Sequence, residues 1–309
     1  MKIKTLNQII LFVLFTGCIG CATVPKTEIS KAQSITVTPT KETQIGPKRK
    51  IAVVEFENKT SYGARRLGTS ASDILVTELV KTNKFIVVER DKLNKILDEQ
   101  KLAVSGVIDS NTAVKMGKLL GLNAIVIGGI SQFGVKEEGS DYLLTQSRQQ
   151  VAECSVDIRV IDVETGEILY ADSGKGITKK KISSILGLGT KAGYDETLEG
   201  EALRAAIVQF VDNIVSQVNT KPWYCKVTKI SQDNIYLNAG QQSGIKIGTV
   251  LKVYNLGETI TDPDTGKILG REETETGEIE VYRYFGENGS IAKLISGKIP
   301  KEEAICKLK

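Results

Sequence analysis

Apolar residues recur along this chain with two different periods, and the change from one to the other divides it. Ile51-Ala52-Val53-Val54 is a continuous apolar run of strand length, within Ile51-Ala52-Val53-Val54-Glu55-Phe56. After a polar loop holding Gly63 and Gly68, Ala71, Ile74, Leu75 and Leu79 return at helical spacing and share one face. Phe85-Ile86-Val87-Val88 predicts the next strand. Asp91 is placed to cap a helix carrying Leu93, Ile96 and Leu97, and Ser110 to start another that stops at Gly121. Ala124-Ile125-Val126-Ile127 is apolar without alternation, as in a central strand covered by helices on both faces. Val156, Ile158 and Val160 alternate with Asp157 and Arg159, and Glu164-Thr165-Gly166 turns the chain into Glu167-Ile168-Leu169-Tyr170. That pattern predicts an antiparallel hairpin with one wet side. A long helix follows, with Ala202, Leu203, Ala206, Ile207, Phe210, Val211, Ile214 and Val218 as its core stripe.

Helical spacing ends at Asn219-Thr220-Lys221-Pro222. From Trp223 onward, short runs such as Ile235-Tyr236-Leu237, Val250-Leu251-Lys252-Val253-Tyr254 and Ile279-Glu280-Val281-Tyr282 are separated by turns bearing Gly240, Gly244, Gly248, Gly257, Gly266 and Gly289. The predicted fold class is α/β: a mixed sheet flanked by helices over residues 49–219, followed by a small all-β barrel or sandwich over residues 222–309.

The first residues carry a different pattern. Lys2 and Lys4 precede the uninterrupted apolar run Ile9 to Phe15, too short to span a bilayer, which takes about 20 residues, and of signal-peptide length. Thr16-Gly17-Cys18 then resembles the bacterial lipobox, in which the cysteine is acylated and becomes the new N-terminus. Residues 1–17 are therefore expected to be a lipoprotein signal peptide, with Cys18 as the lipid attachment site and Cys21 as the second candidate. Residues 18–48 are rich in Thr, Lys, Ser and Pro, without a sustained apolar period, and form the expected tether. The expected location is the outer membrane, on its periplasmic side.

Composition then narrows the chemistry. With 41 Lys+Arg against 37 Asp+Glu the formal charge is +4, and loss of Lys2 and Lys4 with the signal lowers it to +2. That excess is too slight to point to nucleic acid as a partner. The chain contains no histidine. This removes Ser-His-Asp and Cys-His nucleophile pairs, His-ligated metals and the side chain that ordinarily titrates between about pH 5 and 8. No paired-acid arrangement emerges from the spacing, so neither an enzyme nor a cofactor is expected. Of the remaining cysteines, Cys154 falls among strand residues and reads as a small buried thiol. Cys225 and Cys306 lie near the two ends of the β region and would form a disulfide in an oxidising compartment if their strands are neighbours.

Four phrases carry a family resemblance: Ile51-Ala52-Val53-Val54-Glu55-Phe56, Phe85-Ile86-Val87-Val88-Glu89-Arg90, Asp162-Val163-Glu164-Thr165-Gly166-Glu167-Ile168-Leu169 and Leu198-Glu199-Gly200-Glu201-Ala202. In this order they resemble the curli production assembly/transport component (CsgG) family. Residues 222–309, with Gly240 to Gly248 and Asp262-Pro263-Asp264-Thr265-Gly266-Lys267-Ile268-Leu269-Gly270, are similar to the C-terminal module of flagellar assembly protein T. The resemblance implies an outer-membrane lipoprotein that forms a homo-oligomeric ring, works with envelope assembly or secretion proteins and uses no cofactor. In secretion channels of that family each subunit donates two β-hairpins to a membrane barrel. Here those hairpins would come from residues 135–155 and 171–197.

A membrane strand needs roughly 9 to 11 residues with an apolar outer row. Residues 135–155 carry Lys136, Glu137, Glu138, Asp141, Arg148 and Glu153, and residues 171–197 carry Lys175, Lys179, Lys180 and Lys181. The apolar rows are missing, so a periplasmic adaptor is favoured and a secretion channel is the alternative. The remaining motifs are discounted. Gly187 to Gly193 lacks the spacing of a phosphate loop and reads as a flexible loop. Asp262 and Asp264 with Glu273 resemble a calcium loop, but Gly266 and Lys267 break it and a β-turn is expected. Lys179-Lys180-Lys181 reads as a solvated loop, and Trp223 as a hinge residue packed on the core.

Overall fold

The computed structural model describes residues 46–99, 110–142, 145–185, 197–264 and 268–309. The first part of the described chain runs β1 (Arg49–Val53), β2 (Glu57–Asn58), α1 (Ala64–Lys81), β3 (Phe85–Val88), α2 (Arg90–Glu99), α3 (Ser110–Leu120), β4 (Ala124–Tyr142), β5 (Thr145–Asp162), β6 (Ile168–Ile185) and α4 (Thr197–Val218). The sheet has the order β3-β1-β4-β5-β6, with β2 added on β4. Strand β1 is parallel to β3 and β4, while β4, β5 and β6 form an antiparallel meander. The mixed sheet expected from the apolar runs is present.

The uninterrupted run Ile51 to Val54 is explained by cover on both faces. Ile51 and Val53 pack with α1 and α4 through Leu75, Leu79, Leu203 and Phe210. Ala52 and Val54 pack the opposite way, with Leu93, Ala113 and Met116 of α2 and α3. Full burial of a side chain such as Phe210 contributes about 2–3 kcal/mol.

Helix α4 sits unusually close to the sheet, because β6 presents glycine where it crosses. A Cβ on Gly176 would lie 1.8 Å from the Ala202 carbonyl oxygen, and one on Gly174 2.3 Å from that of Ala206. The small residues on both elements let backbone meet backbone. At the far end of the layer, the Glu199 carboxylate is buried and held by Tyr62 Oη at 2.9 Å and Arg66 Nη1 at 2.7 Å.

The second part contains β7 (Tyr224–Ser231), β8 (Asn234–Leu237), β9 (Val250–Thr261), β10 (Ile268–Phe285), β11 (Gly289–Gly297) and β12 (Ile305–Leu308). These close as a barrel in the order β10-β11-β8-β7-β12-β9. Of the two all-β forms expected, it is the barrel. Val227, Leu251, Val253, Ile279, Val281 and Ala292 fill it, together with Trp223, which belongs to this core. Beyond the four residues of β9 that meet β12, β9 and β10 continue as a hairpin paired with each other.

A polar seam links the two parts. Arg49, at the start of β1 and only 5% exposed, donates to Asn219 Oδ1 at 3.2 Å and to the carbonyls of Lys221 and Pro222. Lys221 Nζ meets the buried Asp162 carboxylate at 2.6 Å, whose other oxygen accepts from the Glu164 and Thr165 amides. Lys50 Nζ donates to the Asn238 carbonyl at 3.2 Å, and the Lys48 amide donates to that of Ser243 at 2.6 Å. Burial lowers the pKa values of Arg49 and Lys50.

Candidate functional site

Strands β4, β5 and β6 are 19, 18 and 18 residues long, far more than the short runs their apolar patterns predicted. Their added length forms a three-stranded ladder that continues past β1 and β2. The pairing runs without a break from Gln132↔Ser155↔Lys175 to Tyr142↔Thr145↔Ile185. A β-bulge at Ile130/Gln132 reverses the alternation on β4, so that Phe133 and Val135 stay on the α4 side although Val126 and Ile130 are even-numbered.

Beyond that bulge neither row of the ladder is apolar. One row holds Val135, Glu137, Ala152, Gln150, Thr178 and Lys180; the other holds Lys136, Glu138, Glu153, Val151, Ile177 and Lys179. Lys136 Nζ lies 3.1 Å from Glu138 and 3.2 Å from Glu153, and these hydrogen bonds raise its pKa above that of an ordinary lysine. Gln150 Nε2 donates to Glu137 Oε1 at 3.1 Å. Lys136, Glu137 and Glu153 are thus engaged with polar partners across β4 and β5.

The ladder has two open edges among the described residues. Strand β6 is the last in the sheet order, and past Ile130, where its pairing with β1 and β2 ends, β4 has no partner opposite β5. Because β4 and β6 run the same way and are in register through β5, their open lengths stand at the same height: Gln132 to Tyr142 on one side and Lys175 to Ile185 on the other.

The sequence-derived sites fall in different places. Cys18 and Cys21 lie outside the described residues, as do Gly187 to Gly193. Cys225 on β7 and Cys306 on β12 are opposite one another in the barrel, and Cys154 is buried on β5. Burial pushes the Cys154 thiol up to about 11. Lys179 and Lys180 correct the expectation of a solvated loop: they are exposed, but on the edge strand β6, because pairing with β5 extends through them. The segment expected as a second membrane hairpin accordingly gives a single strand as far as Ile185, and residues 186–196 lie outside the described residues. The Asp264 amide donates to Asp262 Oδ1 in the β9–β10 connection, and Glu273 is engaged by Lys307. Sequence reasoning missed Arg49, Asp162 and Glu199, since a lone charge beside an apolar run gives no signal of its buried partner.

The sequence pattern of the family described as curli production assembly/transport component CsgG matches residues 30–244, more than half of the chain. The chain belongs to the CsgG family. A protein of Neisseria meningitidis serogroup B named as a lipoprotein is 32% identical over 232 residues, covering 71% of this chain and 98% of its own length. The CsgG component of Escherichia coli K12 is 27% identical over 224 residues, covering 63% of this chain and 79% of that protein. Among solved structures, a PelC dodecamer from Paraburkholderia phytofirmans aligns at 14% identity and a TM-score of 0.33, over 58% of this chain and 95% of that one. CsgG-family membership gives the chain a role related to curli-like secretion and assembly, and the family match ends within the barrel, after β8.

Proposed function

We propose that the protein is an outer-membrane lipoprotein, held on the periplasmic side by acyl chains on Cys18, that serves without enzymatic chemistry as an assembly or export adaptor for surface structures. It acts as a homo-oligomer with envelope assembly or secretion proteins as partners. The observation that carries this reading is the β4-β5-β6 ladder, with two open edges at one height and charge in both rows. An unpaired strand edge is a template for another strand, and different edges on opposite sides of one subunit make a head-to-tail contact that can close into a ring. Such a contact would set β6 of one copy parallel to β4 of the next. A lipid-facing Lys or Arg at the bilayer midplane costs ~2–4 kcal/mol, so the mixed rows favour a periplasmic ring over a channel wall.

The test is native mass measurement and particle imaging of the lipoprotein purified in detergent, with planar-bilayer recordings on the same preparation. The expected result is one discrete oligomer without conductance. A monomer would remove the self-assembly, and stepwise conductance with heat-modifiable migration would establish the channel instead. Acyl labelling that is absent from the wild type, with Cys18→Ala and Cys21→Ala as controls, would remove the anchor.

A further inference from the structure

Strand β12 is the piece that closes the barrel: it pairs with β7 on one side and β9 on the other. In its pairing with β7, Cys306 stands directly across from Cys225, and both side chains belong to the barrel core. The local hydrogen bonding identifies the kind of pair. Lys226 turns its amide and carbonyl away from β12, to Asn238, while Val227 bonds to Glu303 and Ala304 on the β12 side. Strand alternation then gives Cys225 the same orientation as Val227 and makes Cys225–Cys306 a hydrogen-bonded antiparallel pair. Such pairs have Cα atoms about 5.5 Å apart, within the ~4.4–6.8 Å that a disulfide spans. Cys154 belongs to the core of the other sheet and is not a competitor.

We infer that Cys225 and Cys306 are joined as a disulfide in the exported protein, a covalent latch between the closing strand and its neighbour. The inference is independent of the ladder and shares with the proposed function only the need for an oxidising compartment. The two thiols give two electrons to a protein disulfide of the envelope, and the two protons they release to water are taken up by the two thiolates that leave, so that the oxidant becomes a dithiol. In sequence, the Cys225 thiolate attacks a sulfur of the oxidant and releases one of its thiolates. The Cys306 thiolate then attacks the Cys225 sulfur, forming the new S–S bond and releasing the second thiolate. Lys50 stands near enough to Cys225 to favour its thiolate. In the folded barrel the thiol–thiol hydrogen bond and complete burial raise the Cys225 pKa, which makes exchange slow there. Oxidation therefore belongs to folding, before β12 docks, and the finished bond is shielded.

The full lipoprotein, isolated from envelopes with its thiols blocked by maleimide at lysis, is digested without reductant and mapped by mass. The expected product joins the peptide of Cys225 to that of Cys306, and native protein should keep it in dithiothreitol until denaturant is added. Reduction of the wild-type chain should lower Tm by roughly 10 °C or more. Cys225→Ser and Cys306→Ser should each do the same without adding to one another, while Cys154→Ser leaves the reduction-dependent shift intact. Maleimide on both Cys225 and Cys306 in unfolded, unreduced envelope protein would overturn the inference, as would linkage of either to Cys154. The reduced wild type supplies the comparison if a variant does not fold.

Discussion

The two halves of this molecule finish their sheets in opposite ways. The barrel joins β9 to β10 and closes its circumference, with outer edges only on the β9–β10 extension, whereas among the described residues the helix-flanked sheet ends on β6 and leaves β4 past Ile130 unpaired on the side opposite β5. An edge is a surface with unmet backbone hydrogen bonds, and closure removes it. The ladder therefore offers the longest open edges for strand-mediated association, while the closed circumference of the barrel offers none. Lys175, Lys179 and Lys180 along β6 are what such an edge carries when indiscriminate pairing has to be discouraged while a specific partner is still admitted.

Two optical signals make the comparison breakable, because among the described residues the helices lie in one half apart from one short turn, and the single Trp223 lies in the core of the other. The largest effect is expected from Gly176→Val. With a Cβ 1.8 Å from a helix carbonyl, α4 has to leave the sheet, at a cost above roughly 4 kcal/mol. Far-UV circular dichroism at ambient temperature should show the loss of helix while Trp223 emission stays native. Retention of both signals with an unchanged Tm would mean that α4 is docked elsewhere.

Next is Leu251→Ala in the fully buried barrel core, expected to cost about 2–5 kcal/mol. Here the order reverses: tryptophan emission should shift at lower denaturant while the helical signal holds. Simultaneous loss of the two would show one cooperative unit rather than two halves. Arg49→Ala addresses the seam directly. It removes donors to Asn219, Lys221 and Pro222, worth about 1–3 kcal/mol together, and should pull the two unfolding curves apart. If they stay superimposed, the coupling lies in other contacts. The smallest effect belongs to Lys81→Ala, which breaks an exposed i,i+3 pair with Glu78 and should cost about 0.5 kcal/mol or less in urea titration. A loss above about 1.5 kcal/mol would make that residue part of the α1 packing rather than its surface.

The same contrast explains what could be foreseen in the sequence. Helical stripes such as Ala202 to Val218, the run at Ile51 and the hairpin of Val160 with Tyr170 are local patterns, and each reappears in the structure. The lengths of β4 to β6 are set by one another: Gln149↔Lys181 and Glu138↔Gln149 are polar pairings whose stability comes from the ladder, so no single segment announces them. Strand β12 is only four residues and carries lysine inside its run, and it is a strand because β7 and β9 hold it from both sides. The neighbourhood of Cys225 and Cys306, left open by the sequence, depends on that topology. Arg49, Asp162 and Glu199 were invisible for a related reason, since each acquires its meaning from a partner far away in the chain.

The position of β12 also has a consequence in time. Every element of the layered half has been made once synthesis reaches Val218, but the barrel lacks a stave until Ile305–Leu308 emerge. For the whole of that interval Trp223 and the strand interiors have no finished enclosure, while the ladder edges are already available to other chains. Exposure of the ladder edges and closure of the barrel are therefore events on separate clocks, and a chaperone that binds this protein would find its longest-lived target in the later half.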